Sequence, residues 1–237
     1  MSKTLLVFGA RNLGRTLARE LVSEGWNAAA VARSEDTIGS LRDELPAVVG
    51  IAGDAAVADN VERAFSATRE RFGDLDLVVN AMTPAAGGRF GGPLATAPPE
   101  AIEGYARDFV PAVFNVLRVG ARVLTEQGRG TLVQVTGGSA RRGMEERGPW
   151  AAAAFATRAL TQAVALELRE VGVHAALLIV DATIESAKTA EMLADRPPEA
   201  SASEHDAVDA IRYLEAQSPR GWTHELQITP RLDRWVP

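Results

Sequence analysis

Apolar segments of strand length alternate with segments of helical spacing along the whole sequence. Lys3–Gly9 and Asn27–Arg33 are apolar runs, and between them Leu13–Glu24 repeats leucine at the spacing of one helix face. The alternation continues to a last short predicted strand at Glu225–Ile228. Continuously apolar strands that alternate with amphipathic helices are typical of a parallel sheet covered on both faces. The pattern therefore predicts one α/β domain over residues 1–237, with a doubly wound parallel sheet of about seven strands.

The composition limits what the chain is expected to bind. A formal net charge of -6 argues against a nucleic-acid-binding surface, which needs a basic face. The absence of cysteine excludes disulfides and cysteine nucleophiles, and the three histidines lack metal-ligand spacing, so we expect no metal site. The N-terminus lacks the pattern of a secretion signal, and no apolar run approaches the roughly 18 residues of a membrane span. These features predict a cytoplasmic protein that binds neither nucleic acid nor membrane.

Three loops fall where a ligand site is expected. In open α/β sheets, ligands bind beyond the carboxyl ends of the strands. The loops at residues 83–93, 141–149 and 186–203 follow strands or strand-helix units on that side, and we expect them to be mobile. The third contains Pro197 and Pro198 and lies where a lid could close.

The first strand ends in a glycine-containing turn that leads directly into a helix. The turn has the sequence Phe-Gly-Ala-Arg-Asn-Leu-Gly-Arg over residues 8–15. Such a turn lets the backbone approach a pyrophosphate, and the helix N-terminus supplies free N–H groups and the positive end of a dipole. The position of the turn in the first β-α-β unit predicts a Rossmann-type dinucleotide site that includes Gly9, Arg11, Asn12, Leu13 and Gly14.

This turn and two later segments resemble the short-chain dehydrogenase/reductase family. The family's turn has the form T-G-x-x-x-G-x-G; Gly9 and Gly14 match its first and last glycines, while Asn12 replaces the middle one in a turn one residue shorter. Asparagine tolerates the left-handed conformation better than most residues, so the turn can form. The resemblance implies that Asp54 bonds the adenine ring and that Asn80 and Ala81 match the family's Asn-Ala-Gly.

Two arginines indicate which dinucleotide is preferred. NAD sites place an acidic residue at the end of the second strand, where this chain has Arg33. Arg11 lies in the glycine turn, and two guanidinium groups near the adenosine ribose suit a 2′-phosphate. We therefore expect NADP(H) rather than NAD(H). The alternative is that both arginines are solvated surface residues.

The family performs its chemistry with Asn, Ser, Tyr and Lys, and the Tyr and Lys lie at i and i+4 on one helix. The segment from Trp150 to Leu168 resembles that helix, especially in its Ala-Leu-Glu-Leu end. An ungapped count places Trp150 at the Tyr position and Ala154 at the Lys position, and neither side chain can carry a proton near neutral pH. The only tyrosines are Tyr105 and Tyr213, so a shift of register does not restore the pair.

The other two family positions are also altered. Spacing from Trp150 selects Gly137 at the Ser position, whereas a short loop deletion would select Ser139, and the Asn position falls near Asp108. Asp181 replaces part of the family's Pro-Gly; it either contacts the nicotinamide end or the substrate, or caps the following segment. The candidate catalytic residues are therefore Ser139, Trp150 and Asp181.

These residues leave three functions open. We favour an atypical enzyme, with NADP as a structural or altered cofactor, that isomerises, dehydrates or cyclises a small organic molecule. The alternatives are an NADPH-dependent reductase in which Ser139 or water donates the proton, and a pseudoenzyme that senses NADP(H). Family members pair through their two long helices, here near Ala101–Gln127 and Trp150–Val171, which implies a homodimer or homotetramer.

Overall fold

Seven parallel strands form one sheet in the computed structural model, which describes residues 2–83, 91–187 and 189–233. The strands are β1 (Thr4–Phe8), β2 (Asn27–Ala32), β3 (Val48–Ala52), β4 (Leu77–Asn80), β5 (Thr131–Gly137), β6 (His174–Val180) and β7 (Glu225–Ile228). Their order across the sheet is β3-β2-β1-β4-β5-β6-β7. The predicted doubly wound parallel sheet is therefore confirmed.

Helices cover both faces of the sheet. They are α1 (Asn12–Ser23), α2 (Glu35–Glu44), α3 (Ala58–Phe72), α4 (Val110–Gln127), α5 (Gly148–Arg169), α6 (Ala190–Leu193) and α7 (Glu204–Glu215). Alternate residues along a strand serve opposite faces: in β1, Leu6 and Phe8 pack with α3, α4 and α5, whereas Leu5 and Val7 pack with α1, α2 and α7. This double burial is the physical reason for the continuously apolar strands.

The helix expected near Ala101–Gln127 is irregular at its start. A single 3-10 turn (Pro99–Ala101) and a π-helical turn (Tyr105–Phe109) precede the regular α4. Pro111 lies in the first turn of α4, directly after the π-helical turn.

Two further observations concern the sequence-based expectations. Of the loop expected at residues 83–93, residues 84–90 lie outside the described part of the chain. None of the helices within the described ranges is both long and apolar enough to cross a membrane.

Candidate functional site

The carboxyl ends of the parallel strands gather the candidate residues at one edge of the sheet. Gly9 follows β1, Arg33 follows β2, Asp54 follows β3, Ser139 follows β5 and Asp181 follows β6. The chain reverses its direction of travel across the sheet between β1 and β4, which are neighbours. A crevice for a ligand forms at such a switch point.

The glycine turn closes tightly although it is one residue short. Gly9 has φ 104° and Asn12 has φ 34°, so asparagine occupies the left-handed region as the sequence predicts. A Cβ added to Gly9 would lie 2.9 Å from the carbonyl carbon and oxygen of Ala81, and one added to Gly14 would lie 2.2 Å from the Gly9 oxygen. Both glycines are therefore required by backbone contacts within the site.

The N-terminus of α1 is left open toward this turn. The side chain of Arg11, the N-cap residue, makes no capping hydrogen bond, and the first turn of α1 contains no acidic residue. Leu13 is buried in the apolar core, so only its main chain faces the turn. An uncapped helix start with its positive dipole end exposed suits an anionic group.

A cavity of about 750 Å³ lies above this helix start. Arg11 and Asn12 line one side, and Glu185–Ala187 line the other. The cavity continues between α2 and α7, which contribute Asp36, Thr37, Ser40, Glu204 and His205 to its wall. It is open to solvent and extends along α1 as far as Arg19.

The basic residues around this cavity differ in how far they are neutralised. Arg15 donates to Ser40 Oγ at 3.0 Å and to Glu44 at 2.8 Å, and Arg19 also pairs with Glu44. The hydrogen bond from Arg19, assisted by Arg15, lowers the pKa of the Glu44 carboxyl below its ordinary value. The side chain of Arg11 has no ion pair or hydrogen bond with the described residues, and its charge remains available.

The part of the carboxyl edge after β2 and β3 combines an exposed arginine with a loop fixed by α4. Arg33 is exposed and forms no ion pair within the described part of the chain. Asp54 accepts a hydrogen bond from the Ala56 N–H at 2.9 Å. Asn115 of α4 donates to the carbonyl oxygens of Ala55 at 2.9 Å and Ala56 at 3.1 Å, which fixes the loop after β3.

Asn80 acts from inside the sheet. Its side chain is fully buried, donates to Gln134 Oε1 at 2.8 Å and accepts from the Met82 N–H at 3.2 Å. These bonds fix the chain after β4, where Ala81 packs against Gly9. A direct contact between Asn80 and a cofactor stays a prediction.

Trp150 lies in the first turn of α5 within a group of three aromatic rings. Its ring centroid is 6.0 Å from that of Tyr105 and 5.6 Å from that of Phe109. A Cβ added to Gly137 would lie 4.0 Å from Trp150 Cζ2, so the indole stands beside the end of β5. Ala154, one turn further along α5, is fully buried.

Tyr105 is a neighbour of Trp150 that the sequence did not reveal. It is 45 positions from Trp150 in the chain, and the π-helical turn places its ring beside the start of α5. Burial raises the pKa of the Tyr105 phenol, which therefore stays protonated at neutral pH. Its spacing of four from Phe109, beside the family's Asn position, is the one signal in the sequence that both rings share a helix face.

Two hydroxyl groups near the end of β5 are buried without a partner. Ser139 is 1% exposed, and its Oγ makes no hydrogen bond with the described residues; the same holds for Thr136 Oγ1. Buried hydroxyls of this kind require a hydrogen-bond partner, such as water or a ligand. Ser139 lies in the short turn Gly138–Ala140 that links β5 to the following loop.

Asp181 is held in a partly buried ion pair. Arg142 donates to its two carboxylate oxygens at 2.6 and 3.0 Å, and Gln227 donates to Oδ2 at 3.2 Å. The carboxylate lies directly over Gly138, where an added Cβ would come within 1.8 Å of Asp181 Oδ1. The hydrogen bond to Asp181 raises the pKa of Arg142. The carboxylate thus joins the loop after β5 to the end of β6.

Metal chemistry has no support among the described residues, since no group of three or more His, Cys, Asp or Glu side chains is placed to hold an ion there.

Comparisons with known proteins agree with this geometry. The sequence model of the short chain dehydrogenase family matches residues 3–195. Serine 3-dehydrogenase of Agrobacterium fabrum is 38% identical over 82 residues, which are 34% of this chain and 33% of that enzyme. The 1,6-dihydroxycyclohexa-2,4-diene-1-carboxylate dehydrogenase of Pseudomonas putida is 30% identical over 181 residues, 73% of this chain and 63% of that enzyme. The chain thus spans about one third to two thirds of the length of these relatives.

A solved structure extends the likeness to the whole fold. A variant of the actinorhodin polyketide ketoreductase with NADPH has a TM-score of 0.84 at 22% identity, with 99% of this chain and 98% of that chain covered. The family match, the parallel sheet and the glycine turn after β1 agree, and the chain belongs to the short-chain dehydrogenase/reductase family.

Proposed function

We propose that this protein binds NADP(H) across the carboxyl edge of its sheet and acts on a small organic molecule without the family's Tyr-Lys proton donor. The observation that carries the proposal is the contrast between two parts of the carboxyl edge, the glycine turn after β1 and the start of α5. The glycine turn retains its close backbone contacts and open helix start, whereas the position expected for the proton donor holds the indole of Trp150.

The residues at the turn fit a dinucleotide. A side chain at Gly9 would run into the chain after β4, and one at Gly14 would run into the Gly9 carbonyl group, so both positions require glycine. The main chain of Asn12 and Leu13 would hold the diphosphate, Arg11 and Arg33 the 2′-phosphate, and Asp54 the adenine. When bound, the nicotinamide supplies hydride transfer. The similar ketoreductase structure contains NADPH, and this supports our proposal that the present chain binds NADP(H).

The residues at the other end can orient a substrate but lack a strong acid-base pair. Trp150 offers an apolar wall, and the hydroxyls of Ser139 and Thr136 are buried groups in need of a partner. Asp181 already accepts two hydrogen bonds from Arg142, and proton transfer to it would require that pair to open. Chemistry that depends on orientation suits such a site, since positioning alone contributes several kcal/mol.

A second candidate function is an NADP(H) sensor without catalysis. It is favoured by the packing of the Trp150 indole against Tyr105, Phe109 and the Gly137 backbone, because this ring occupies space beside the end of β5 where a reacting oxygen would stand. A Trp150→Ala variant distinguishes the two functions. If Trp150→Ala loses the binding of a small ligand, the indole is a wall of a working site. If the variant instead gains such binding, the indole blocks the site in the unmodified protein.

Calorimetric titration with NADPH and NADH tests the cofactor proposal directly. We expect NADPH to bind more tightly than NADH, and the protein to show no normal rate of ketone reduction with NADPH. Absence of binding by both dinucleotides would contradict the proposal. Reduction of simple ketones at an ordinary enzymatic rate would contradict the claim that the proton donor is missing.

A further inference from the structure

A histidine is buried at the edge of the sheet opposite the candidate site. His174 is the first residue of β6 and is 2% exposed. Its ring stacks on that of Trp222, with centroids 5.1 Å apart and planes 5° apart, and the ring of His224 stands edge-on at 6.3 Å. Residues 217–224, which we call the cover segment, therefore shield the imidazole from solvent just before β7 begins.

Both ring nitrogens of His174 face backbone carbonyl oxygens. Nδ1 is 3.1 Å from the Leu214 oxygen at the end of α7, and Nε2 is 3.0 Å from the Thr223 oxygen in the cover segment. A neutral imidazole has one N–H donor, so it donates to one of these oxygens while the lone pair of its other nitrogen faces the second oxygen. Only the imidazolium form donates to both. The contacts of this ring therefore depend on its protonation state.

A positive charge on the ring would have no carboxylate partner within the described ranges. The charged side chains on the elements around the ring are paired elsewhere or exposed: Arg212 with Asp209, Glu215 with Lys3, Glu225 with Arg158, and the exposed Arg220. The facing titratable group is His224, and a positive charge on it opposes one on His174. Thr131, the neighbour of His174 in β5, is uncharged.

Burial decides which form of the ring the closed structure favours. It lowers the pKa of His174 below the ordinary value of 6.5, although the two carbonyl oxygens act in the opposite direction. The ring is therefore neutral at pH 7. Because the hydrated ring of an open form binds a proton more readily, the closed form is favoured above the ordinary pKa and loses this advantage as the pH falls.

We propose that His174 is a pH-sensitive switch: its neutral ring holds the cover segment against α7 and β6, and its protonation releases that segment. A buried imidazolium without a carboxylate partner gains hydration only when the cover segment moves away. The segment can move as a unit, since the Gln217 side chain bonds both the N–H and the hydroxyl of Thr223.

The switch lies at the start of the β6–β7 pairing. The Leu177 N–H donates to the His224 oxygen at 2.8 Å, and β7 begins at the next residue. The same strand carries Gln227, which donates to Asp181 in the candidate site. Release of the cover segment therefore frees the end of an edge strand that reaches the site.

Hydrogen exchange of the Leu177 amide tests the switch, because this amide loses its acceptor when the cover segment leaves. After correction for intrinsic rates, we expect its protection to fall about threefold to tenfold between about pH 7.5 and about pH 5.5; one unit of pKa shift corresponds to about tenfold. His174→Gln keeps a donor but does not titrate, so its protection should not change over this range. The matched control His224→Gln should keep the response.

Equal pH responses in His174→Gln and the unmodified protein overturn the proposal, and so does a response that His224→Gln abolishes. If His174→Gln does not fold, nitrogen NMR of the ring in the unmodified protein decides the question. Protonation below the ordinary value together with loss of Leu177 protection supports the switch, whereas protonation without that loss, or a ring that stays neutral, overturns it. The assay requires no cofactor, so its outcome is separate from the proposed function.

Discussion

Replacing Gly14 by alanine places a methyl group against the backbone of the glycine turn. The added Cβ lies 2.2 Å from the Gly9 oxygen, 3.0 Å from the Gly9 carbonyl carbon and 3.2 Å from Val7 Cγ2. The Gly9 backbone cannot withdraw freely, because its N–H donates to the Val31 oxygen at 2.9 Å and its Cα faces Ala81. The α1 start and the turn must therefore separate to admit the methyl group.

The size of the effect follows from two opposing contributions. Inserting a methyl group into a close-packed site costs about 1–3 kcal/mol. Alanine is favoured over glycine in a helix by at most about 1 kcal/mol, and less in a first turn. We expect Gly14→Ala to lower the free energy of unfolding by about 1–2 kcal/mol. Displacement of the Asn12 and Leu13 N–H groups should also weaken NADPH binding by about tenfold or more.

Gly39→Ala is the matched control, because Gly39 lies within α2 and a Cβ there meets nothing within 4 Å. This variant should gain about 0.5–1 kcal/mol and leave NADPH affinity unchanged. Urea unfolding followed by circular dichroism measures the stabilities, and calorimetry measures the affinities. If Gly14→Ala is as stable as Gly39→Ala and binds NADPH like the unmodified protein, the argument that the turn requires glycine is refuted.

Three further outcomes are expected. Arg33→Ala should weaken NADPH binding by about 1–3 kcal/mol and spare NADH in calorimetric titration, and an equal loss for both cofactors would contradict the 2′-phosphate assignment. Light scattering should give the mass of a homo-oligomer that Phe155→Glu converts to monomers, since Phe155 is 44% exposed on α5 among exposed alanines; a monomeric unmodified protein would contradict this. Burial raises the pKa of Glu225, but the hydrogen bonds from Arg158 and Gln162 lower it by more than burial raises it. The net shift of the Glu225 pKa is therefore downward. A carboxyl whose pKa is lowered in the folded state stabilises the fold at pH values above its unfolded pKa. The urea midpoint should therefore fall as the pH drops below the ordinary value of 4.5, and this fall should be smaller in Arg158→Ala.

The sheet was predictable because its strands are buried on both faces. This holds for the central strands β1, β4 and β6, which are buried along their whole length, whereas the edge strands β3 and β7 are only partly buried. The start of α7 was predictable from Ser203 and Asp206, which form both bonds of a capping box. The start of α4 was not, because the π-helical turn at Tyr105–Phe109 breaks the regular helical spacing on which sequence patterns depend.

The sequence patterns could not predict the long-range contacts of the site. Arg142 and Asp181 are separated by 39 positions, and only the parallel pairing of β5 with β6 brings them together. The sequence left Asp181 either a ligand contact or a cap for the following segment. Its carboxylate instead joins two loops at the carboxyl edge, and a contact with a ligand stays a prediction.

The unmodified protein is expected to lack ordinary ketoreductase activity, because no group at the family position can protonate an alkoxide as hydride arrives. General acid catalysis is typically worth about 10²–10⁴-fold, so its loss should leave turnover near background. Measurement of NADPH oxidation with a panel of simple ketones tests this. An ordinary rate would show that another group, such as the buried phenol of Tyr105, acts as the acid.

Restoring the family's Ser, Tyr and Lys tests whether their absence explains the lack of ketoreductase activity. The structure indicates how well each substitution fits. Gly137→Ser adds a Cβ at ordinary contact distances, 3.8 Å from the Val180 oxygen and 4.0 Å from Trp150 Cζ2. Trp150→Tyr replaces the indole by a smaller ring.

Ala154→Lys is the difficult change, because residue 154 is fully buried and a buried ammonium is costly. Alone, this substitution should lower the urea midpoint. In the triple variant the added tyrosine and lysine lie one helical turn apart on α5, and carbonyl reduction should rise above background. The same variant with Trp150→Phe has no phenol and should stay inactive. Equal activity of the two variants would mean that the added tyrosine is not the proton donor.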